Sequence, residues 1–419
     1  MNVLLVGSGG REHAIAWKLR QSPKVERLWC APGNGGIAGV AECVDIAARD
    51  IQGIVNFARA NAVDLTFVAP DDPLADGMVD ALEAAGCPAF GPSGEAAQIE
   101  ASKTFGKYIM AKYGIPTGKS RTFIDAAAAR EYIRQQGAPI VVKADGLALG
   151  KGVFVCMKEQ EALDAVDEVM VRGAFGDAGR SVVVEEFLEG PEVSLLCFAD
   201  GASVAVMPPA QDYKRVFDGD RGPNTGGMGA FAPSPKLSAE ELDWAKQNVL
   251  QRAVEGMDRE GRPFKGVLYA GLILTREGIK VLEFNARFGD PETQALLPLL
   301  KTDLVEIIEA VRSGRLNELD IEWSNGAAAT VVMASGGYPG TYRKGYPISG
   351  IEDAEALPGV KVFHSGTKQT PDGPVTGGGR VLGVTAVADT LTKAALQAYA
   401  GAGRIRFADS HMRLDIGGK

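Results

Sequence analysis

Short apolar runs separated by glycine and proline dominate the first hundred residues. NVLLVG reads as a strand and GSGG as a turn, and the helix that follows carries apolar Ala14, Ile15, Trp17 and Leu19. The same alternation continues through RLWCAPGN, VDLTFVAP and CPAFGP. It predicts a doubly wound parallel-sheet domain over residues 1–100, with loops at Pro32–Gly36 and Pro70–Leu74 along the carboxyl edge, where such sheets bind ligands. EAAQIEASKTFGKYIMAKYG then predicts a helix ended by Gly114 and Pro116, with Lys103 and Lys107 four apart on one face. APIVVKADGLALGKGVFVC predicts strand, glycine loop and strand, and SVVVEEFLEG and VLEFNARFGDPETQ predict two further strands. In DGDRGPNTGGMGA, six glycines and prolines between 219 and 229 break both periodicities, so a loop is expected. From about Gly326 the runs ATVVMASGGYPG, KVFHSGTK and GRVLGVTAVA, with a helix near 389–400, predict a small α+β domain.

Length and composition narrow the class. A chain of 419 residues, 46% hydrophobic, buries a large core and divides into two to four domains. The net charge of -9, from 44 basic and 53 acidic residues, argues against a broad nucleic-acid footprint and a polybasic membrane surface. Cys30, Cys43, Cys87, Cys156 and Cys197 are odd in number and lack CxxC spacing, which predicts reduced thiols rather than disulfides or zinc. No apolar run approaches the roughly 20 residues that span a bilayer, and Met1 opens directly into a strand. A soluble, cytoplasmic protein without internal repeats is expected.

The most informative chemistry lies at 281–294. Glu283, Asn285 and Arg287 stand two apart in a strand-like run, so all three project from one face. A carboxylate and an amide oxygen at that spacing suit a hard divalent cation, and the guanidinium suits a carboxylate or phosphate. An edge strand with one solvated polar face explains the same pattern. Gly7, Gly9 and Gly10 allow a ligand close to the backbone, and the amides of the following helix favour an anion. A dinucleotide fingerprint fails there, because Glu12 replaces the third glycine and no acid ends the second strand. A nicotinamide oxidoreductase is therefore disfavoured. Gly146, Gly150 and Gly152 around Lys151 suit polyphosphate binding but do not form a Walker A loop, and a hairpin turn is the plainer alternative. RGAFGDAGR supplies a second glycine loop that could close over the same ligand. His13, His364 and His411 are the only histidines, and no serine or cysteine sits beside a base, so a nucleophilic triad is unsupported. The GGGR of 377–380 reads more simply as hairpin turns than as a ligand contact.

SKTFGKYIM, VVKADGLALGKGV, VVVEEFL, PPAQDYKRVFDGDRGPNTGGMGAFAP and LEFNARFGDPETQ, in that order, resemble the ATP-grasp ligases and among them the glycinamide ribonucleotide synthetases. The resemblance spans nearly the whole chain. It is most specific in RFGDPE and from QDYKR to PNTGGMG. Tyr213 stands where that family usually has His, Pro191 where an acid is common, and APDDPL (69–74) where a GPExPL-like run is usual.

The resemblance implies a central ATP-grasp domain over 101–325, with a mobile lid at about 120–190, and a C-terminal domain over 326–419. It implies ATP contacts at Lys103, Lys143, Lys151, Glu185, Leu188 and Glu192, with Glu185 acting largely through its backbone and Glu192 meeting the ribose. Magnesium or manganese would be held by Glu283 and Asn285. Glycine would sit between Arg287 and Asp212, with Lys214 completing the catalytic group. Phosphoribosylamine would meet Gly9, Gly10, Asn34, Asn224, Thr225, Gly226, Gly227, Met228, Asp290 and Glu292, its phosphate at the helix N-terminus after Gly9 and Gly10. The implied reaction joins glycine to 5-phosphoribosylamine through glycyl phosphate, in purine biosynthesis, by a monomer or weak dimer that needs neither nucleic acid nor membrane. Another ATP-grasp carboxylate-amine ligase and a non-catalytic nucleotide-binding regulator are the alternatives.

Overall fold

A computed structural model describes residues 1–148 and 152–418. Five parallel strands open the chain, in the spatial order Glu42–Cys43, Arg27–Pro32, Asn2–Gly7, Leu65–Val68, Ala89–Phe90. The order reverses beside Asn2–Gly7, which places the turn after Gly7 at the crevice where doubly wound sheets accept ligands. The expected loop at Pro70–Leu74 is instead a short helix, Asp71–Ala75. Asp71 and Asp72 complement the positive end of that helix, and Pro73 costs nothing in a first turn that has no amide partner to lose.

The long helix expected after Gly91 breaks at Ser102 into Gly94–Ala101 and Lys103–Lys112. The Ser102 hydroxyl accepts from the Phe105 amide at 3.1 Å, so the second helix starts afresh with Lys103 as its first residue. An antiparallel sheet follows, in the order Ser120–Phe123, Val182–Glu186, Ile140–Ala144, Val153–Cys156. It is covered by the helices Ala126–Gln136 and Glu159–Val166. Phe123, Ile133, Val142, Val166 and Val184 give this unit a hydrophobic core of its own.

A second antiparallel sheet runs Val204–Val206, Glu192–Asp200, Lys265–Thr275, Gly278–Asn285. One core unites it with the first domain, since Val3, Ile15 and Phe67 share a cluster with Leu196, Phe288 and Ile307. The last large sheet orders Gln211–Asp212, Gly229–Ala232, Ala327–Ser335, Arg380–Ala388 and Val360–His364, with Ser410–His411 beside Ala327–Ser335 and the helix Leu391–Ala402 packed on it. Two of its strands thus come from 211–232, well before the change in composition at Gly326. Between them Arg215–Phe217 pairs with Arg221–Asn224 as a separate ribbon, where an unbroken loop was expected. An edge position tolerates Pro223, and Gly222 adopts φ +80°, which few other residues would. Among the described residues no helix is long and apolar enough to cross a membrane.

Candidate active site

Lid sheet, central sheet and N-terminal domain surround a cavity of about 620 Å³. Its floor is the end of the strand Gly278–Asn285. Glu283 and Asn285 alternate with Phe284, which is 3% exposed and faces the core, and Arg287 continues the same side two residues past the strand. Arg287 Nη2 meets Glu100 Oε1 at 2.8 Å and Asn285 Oδ1 at 3.2 Å, and its Nε is buried without a partner. Burial opposes the charge of Arg287, yet Glu100 and then Asp71 hold it firmly protonated. Glu100 also accepts from the Ala286 amide at 2.7 Å. Glu100 was not legible as a site residue, and Asp71 only as part of the Pro70–Leu74 segment at the ligand edge.

Burial raises the cost of ionising Glu283, but Lys143, Lys214, Lys103 and Arg287 outweigh it and keep the carboxyl below its ordinary range. Glu283 therefore offers an ionised oxygen beside the Asn285 amide oxygen, both on the cavity. Among the described residues no three His, Cys, Asp or Glu side chains cluster as a metal site. A cation on these two donors must complete its shell with ligand oxygens and water, which suits a metal-nucleotide complex.

Above the floor, Lys107 and Lys143 both reach Glu185 Oε2 at 3.0 Å, while Glu185 Oε1 is buried without a partner. Lys107 is not the solvated surface lysine that its helical spacing alone would suggest. It is 8% exposed, because helix Lys103–Lys112 turns this face onto the lid strand. Glu185 likewise contributes its side chain, whose carboxylate neutralises those two cations, and not its backbone alone. Lys103 donates to the Gly146 carbonyl at 2.8 Å, and burial lowers its pKa. Leu188 and Glu192 line the same cavity, with Glu192 ion-paired to Lys214. Lys151 lies outside the described residues.

The far wall carries the carboxyls. Asp212 Oδ1 is buried without a partner, and burial, reinforced by Glu292, pushes the Asp212 pKa well up. Glu292 Oε1 accepts from Ser194 Oγ at 2.8 Å, and Ser194 meets the Tyr269 hydroxyl at 2.9 Å. Gly227, at φ +106°, lets the backbone pass close to Asp212, since a Cβ there would stand 2.6 Å from Oδ1. The Thr225 amide and hydroxyl both donate to the Lys214 carbonyl, at 2.7 and 2.9 Å, and Asn224, Thr225 and Gly226 line the cavity.

Several of the expected substrate contacts already have partners within the chain. Met228 is 0% exposed and packs with Val216 and Ala334 in the core. Asp290 spends its carboxylate on Arg380 Nη2 and Gln294 Nε2, both at 2.7 Å. Arg380, from the GGGR run, also donates to the carbonyls of Asp290 and Gly226, so that run reaches the site after all. The Gly9 amide is occupied by Glu12 Oε2 at 2.6 Å, which closes the expected anion position with the chain's own carboxylate. Gly10 is pressed against Ser365 and Gln294. Asn34 donates to the carbonyls of Ser8 and His364, both at 2.8 Å, and accepts from the amides of Gly36 and Ile37, which uses its whole amide.

A second cavity, also of about 620 Å³, opens beside that loop. Ser8, Asn34, Lys344, Ser365, Thr367 and Lys368 line it, and among the described residues no carboxylate does. Its two lysines escaped sequence reasoning because Lys344 lies in irregular backbone and Lys368 in the four-residue strand Thr367–Thr370, too short for a periodicity to mark it.

The chain is similar over its length to known proteins. Models of the phosphoribosylglycinamide synthetase N domain, ATP-grasp (A) domain and C domain match residues 1–100, 101–293 and 328–419. The chain is 50% identical over 417 residues to the phosphoribosylamine-glycine ligase of Rhizobium meliloti, covering 100% of this chain and 98% of that one. The crystal structure of the Thermotoga maritima phosphoribosylamine-glycine ligase superposes with a TM-score of 0.86 at 30% identity, over 99% of this chain and 100% of that one. The biotin carboxylase domain of Hydrogenobacter thermophilus 2-oxoglutarate carboxylase, solved with MgADP, shares the fold at TM-score 0.75 and 16% identity, over 98% of this chain and 91% of that one.

Proposed function

Because the chain belongs to the phosphoribosylglycinamide synthetase family, we infer that its central cavity joins glycine to 5-phosphoribosylamine, converting ATP to ADP and phosphate and yielding glycinamide ribonucleotide for purine biosynthesis. The observation that carries the site assignment is the pairing of Arg287, with its unpartnered Nε, and Asp212, with its unpartnered Oδ1, on one cavity whose floor is Glu283 and Asn285. A small zwitterion needs a cation at one end and a carboxylate at the other. Glycine meets both.

Lys103 and Lys143 supply positive charge for the nucleotide phosphates, and Lys107, which does not line the cavity, shares Glu185 with Lys143 and so helps to set its position. The Glu185 Oε1 left without a partner would accept an amino hydrogen of a bound nucleotide. Glu283 and Asn285 would hold magnesium, whose role is to neutralise phosphate charge and orient the γ-phosphoryl group. Manganese, equally suited to oxygen donors, is the other candidate.

A glycine carboxylate oxygen attacks the γ-phosphorus, the bond to the ADP oxygen breaks, and glycyl phosphate forms. Arg287 and the lysines stabilise the charge on the transferring group. The sugar's amine then attacks the acyl carbon, loses a proton, and the carbon-oxygen bond to phosphate breaks. Holding the reactants together can account for ~7 to 11 kcal/mol of barrier lowering. The lid sheet closes one side of the cavity, which protects the acyl phosphate from water.

The phosphoribosyl group lies toward the second cavity. Lys344 and Lys368 receive its phosphate there, in place of the Gly9 amide that Glu12 occupies. The Thr225–Gly227 turn and Glu292 face the amine end. All five cysteines are free and four of them are buried, in keeping with a reducing, cytoplasmic location.

ADP formation with freshly made phosphoribosylamine tests the reading. Turnover that requires glycine and the amine together is expected. Turnover supported equally by another amino acid would keep the ligase chemistry and overturn the glycine assignment.

A further inference from the structure

The ribbon that bears Lys214 and Thr225 is secured from behind by a residue that lines neither cavity. Arg413 is 0% exposed. Its Nε and Nη2 fork onto Asp415 at 2.7 and 2.6 Å, while Nη1 donates to Asp220 Oδ1 and to the Arg215 carbonyl, both at 3.0 Å. Its guanidinium carbon sits 4.8 Å from the centre of the Tyr213 ring. Neighbouring residues add to the attachment. His411 Nε2 meets the Val216 carbonyl at 2.8 Å, the Leu414 amide donates to Asp218 at 2.8 Å, and the Gly219 amide donates to Asp415 at 3.0 Å. The Gly417 amide donates to the Tyr213 hydroxyl at 2.9 Å.

A two-stranded ribbon is barely stable by itself in water. This one, Arg215–Phe217 with Arg221–Asn224, belongs to no larger sheet among the described residues, and its second strand is exposed throughout. Yet Lys214 and Asn224 at its base and Thr225 beyond it form the wall opposite the nucleotide lysines. A buried guanidinium that binds the first strand at Arg215, the turn at Asp220 and the ring of Tyr213 ties that wall to the C-terminal domain.

We propose that Arg413 is a positioning residue for the ligase reaction, holding the 213–227 segment so that Asp212, Lys214 and Thr225 meet glycine and the incoming amine in register. The proposal rests on the ligase function above. The Tyr213 side chain takes part, giving the cation a flat aromatic face and the Gly417 amide a hydroxyl acceptor.

The test combines steady-state kinetics with amide hydrogen exchange on wild type, Arg413→Met and Arg413→Lys. In Arg413→Met, exchange at the Thr225 and Met228 amides, which donate to the carbonyls of Lys214 and Tyr213, should speed roughly tenfold. In the same variant kcat/KM for glycine should fall roughly tenfold while KM for ATP stays within about twofold. Arg413→Lys should recover part of the glycine loss. If Arg413→Met does not fold, Asp220→Asn, whose carboxylate is 51% exposed, tests the same link with a smaller effect. Unchanged exchange beside normal wild-type turnover, or equal losses for glycine and ATP, would overturn the positioning role. A wild type without glycine-dependent turnover would overturn the ligase function itself.

Discussion

Asp212→Asn removes the one buried carboxylate oxygen on the far wall that faces the cavity without a partner. In the free enzyme, burial and the neighbouring Glu292 hold this carboxyl protonated to a pH above the ordinary aspartate range. A glycine ammonium favours the ionised form, so binding releases a proton and glycine affinity rises with pH toward the raised pKa. A hydrogen bond between charged partners is worth about 1.5–3 kcal/mol, which corresponds to a fall of roughly 10- to 150-fold in kcat/KM for glycine, with KM for ATP within about twofold. The substitution should not weaken the fold. A carboxyl whose native pKa is raised costs stability as pH rises from the ordinary aspartate value up to the raised one, because the unfolded chain ionises first, and Asn removes this slope along with the repulsion from Glu292. Steady-state kinetics, calorimetry in buffers of different ionisation enthalpy, and thermal melts read all three effects. Equal losses for glycine and ATP, or unchanged proton release on glycine binding, would refute the assignment of Asp212 to the ammonium.

Glu283→Gln should shift the magnesium dependence of turnover upward by about tenfold or more, since a carboxylate ligand becomes a neutral amide; an unmoved dependence would remove Glu283 from the metal site. Lys107→Met should raise KM for ATP roughly tenfold and leave KM for glycine nearly unchanged, because Glu185 would then bind Lys143 alone; equal shifts in both would contradict a nucleotide-side role. His364 and His13 are buried at the contact of the first and last domains, where the His364 amide donates to His13 Nδ1 at 2.8 Å. Burial lowers both pKa values, that of His364 from 6.5 to about 4. The unfolded chain therefore takes up protons first, and stability present above pH 6.5 should decline from there to about pH 4, by about 3 kcal/mol for His364. Urea titrations of His364→Gln should show a shallower decline, and an identical pH profile would reject that cause.

Local chemistry made some of this site legible and topology hid the rest. Glu283, Asn285 and Arg287 stand in a single run whose two-residue period needs only a strand to bring them together. The N-terminal strand, glycine turn and helix are equally local. Lys107 and Glu100 gave no local sign of a site role, because each lies on a helix whose inner face is chosen by distant residues, Lys107 by the lid strand bearing Glu185 and Glu100 by Arg287, while Asp71 lay in a segment expected at the ligand edge without a role of its own. Arg380 joins Asp290 across 90 positions of sequence, a contact that no spacing rule anticipates. The ribbon at 221–224 defied its own glycine and proline content because an edge strand tolerates both. At Gly9 the motif was read correctly as a turn into a helix, but Glu12 folds back on the amide and fills the position meant for a ligand.

The central claim is that glycine passes through an acyl phosphate in this cavity. Turnover with glycine labelled with ¹⁸O in its carboxylate tests it directly, with the released inorganic phosphate analysed by mass. Transfer to phosphorus followed by amine attack leaves one carboxylate oxygen on phosphate, so one labelled oxygen per phosphate is expected. Phosphate released without label, beside normal glycinamide ribonucleotide formation, would contradict both the glycyl phosphate route and the glycine-binding roles of Arg287 and Asp212.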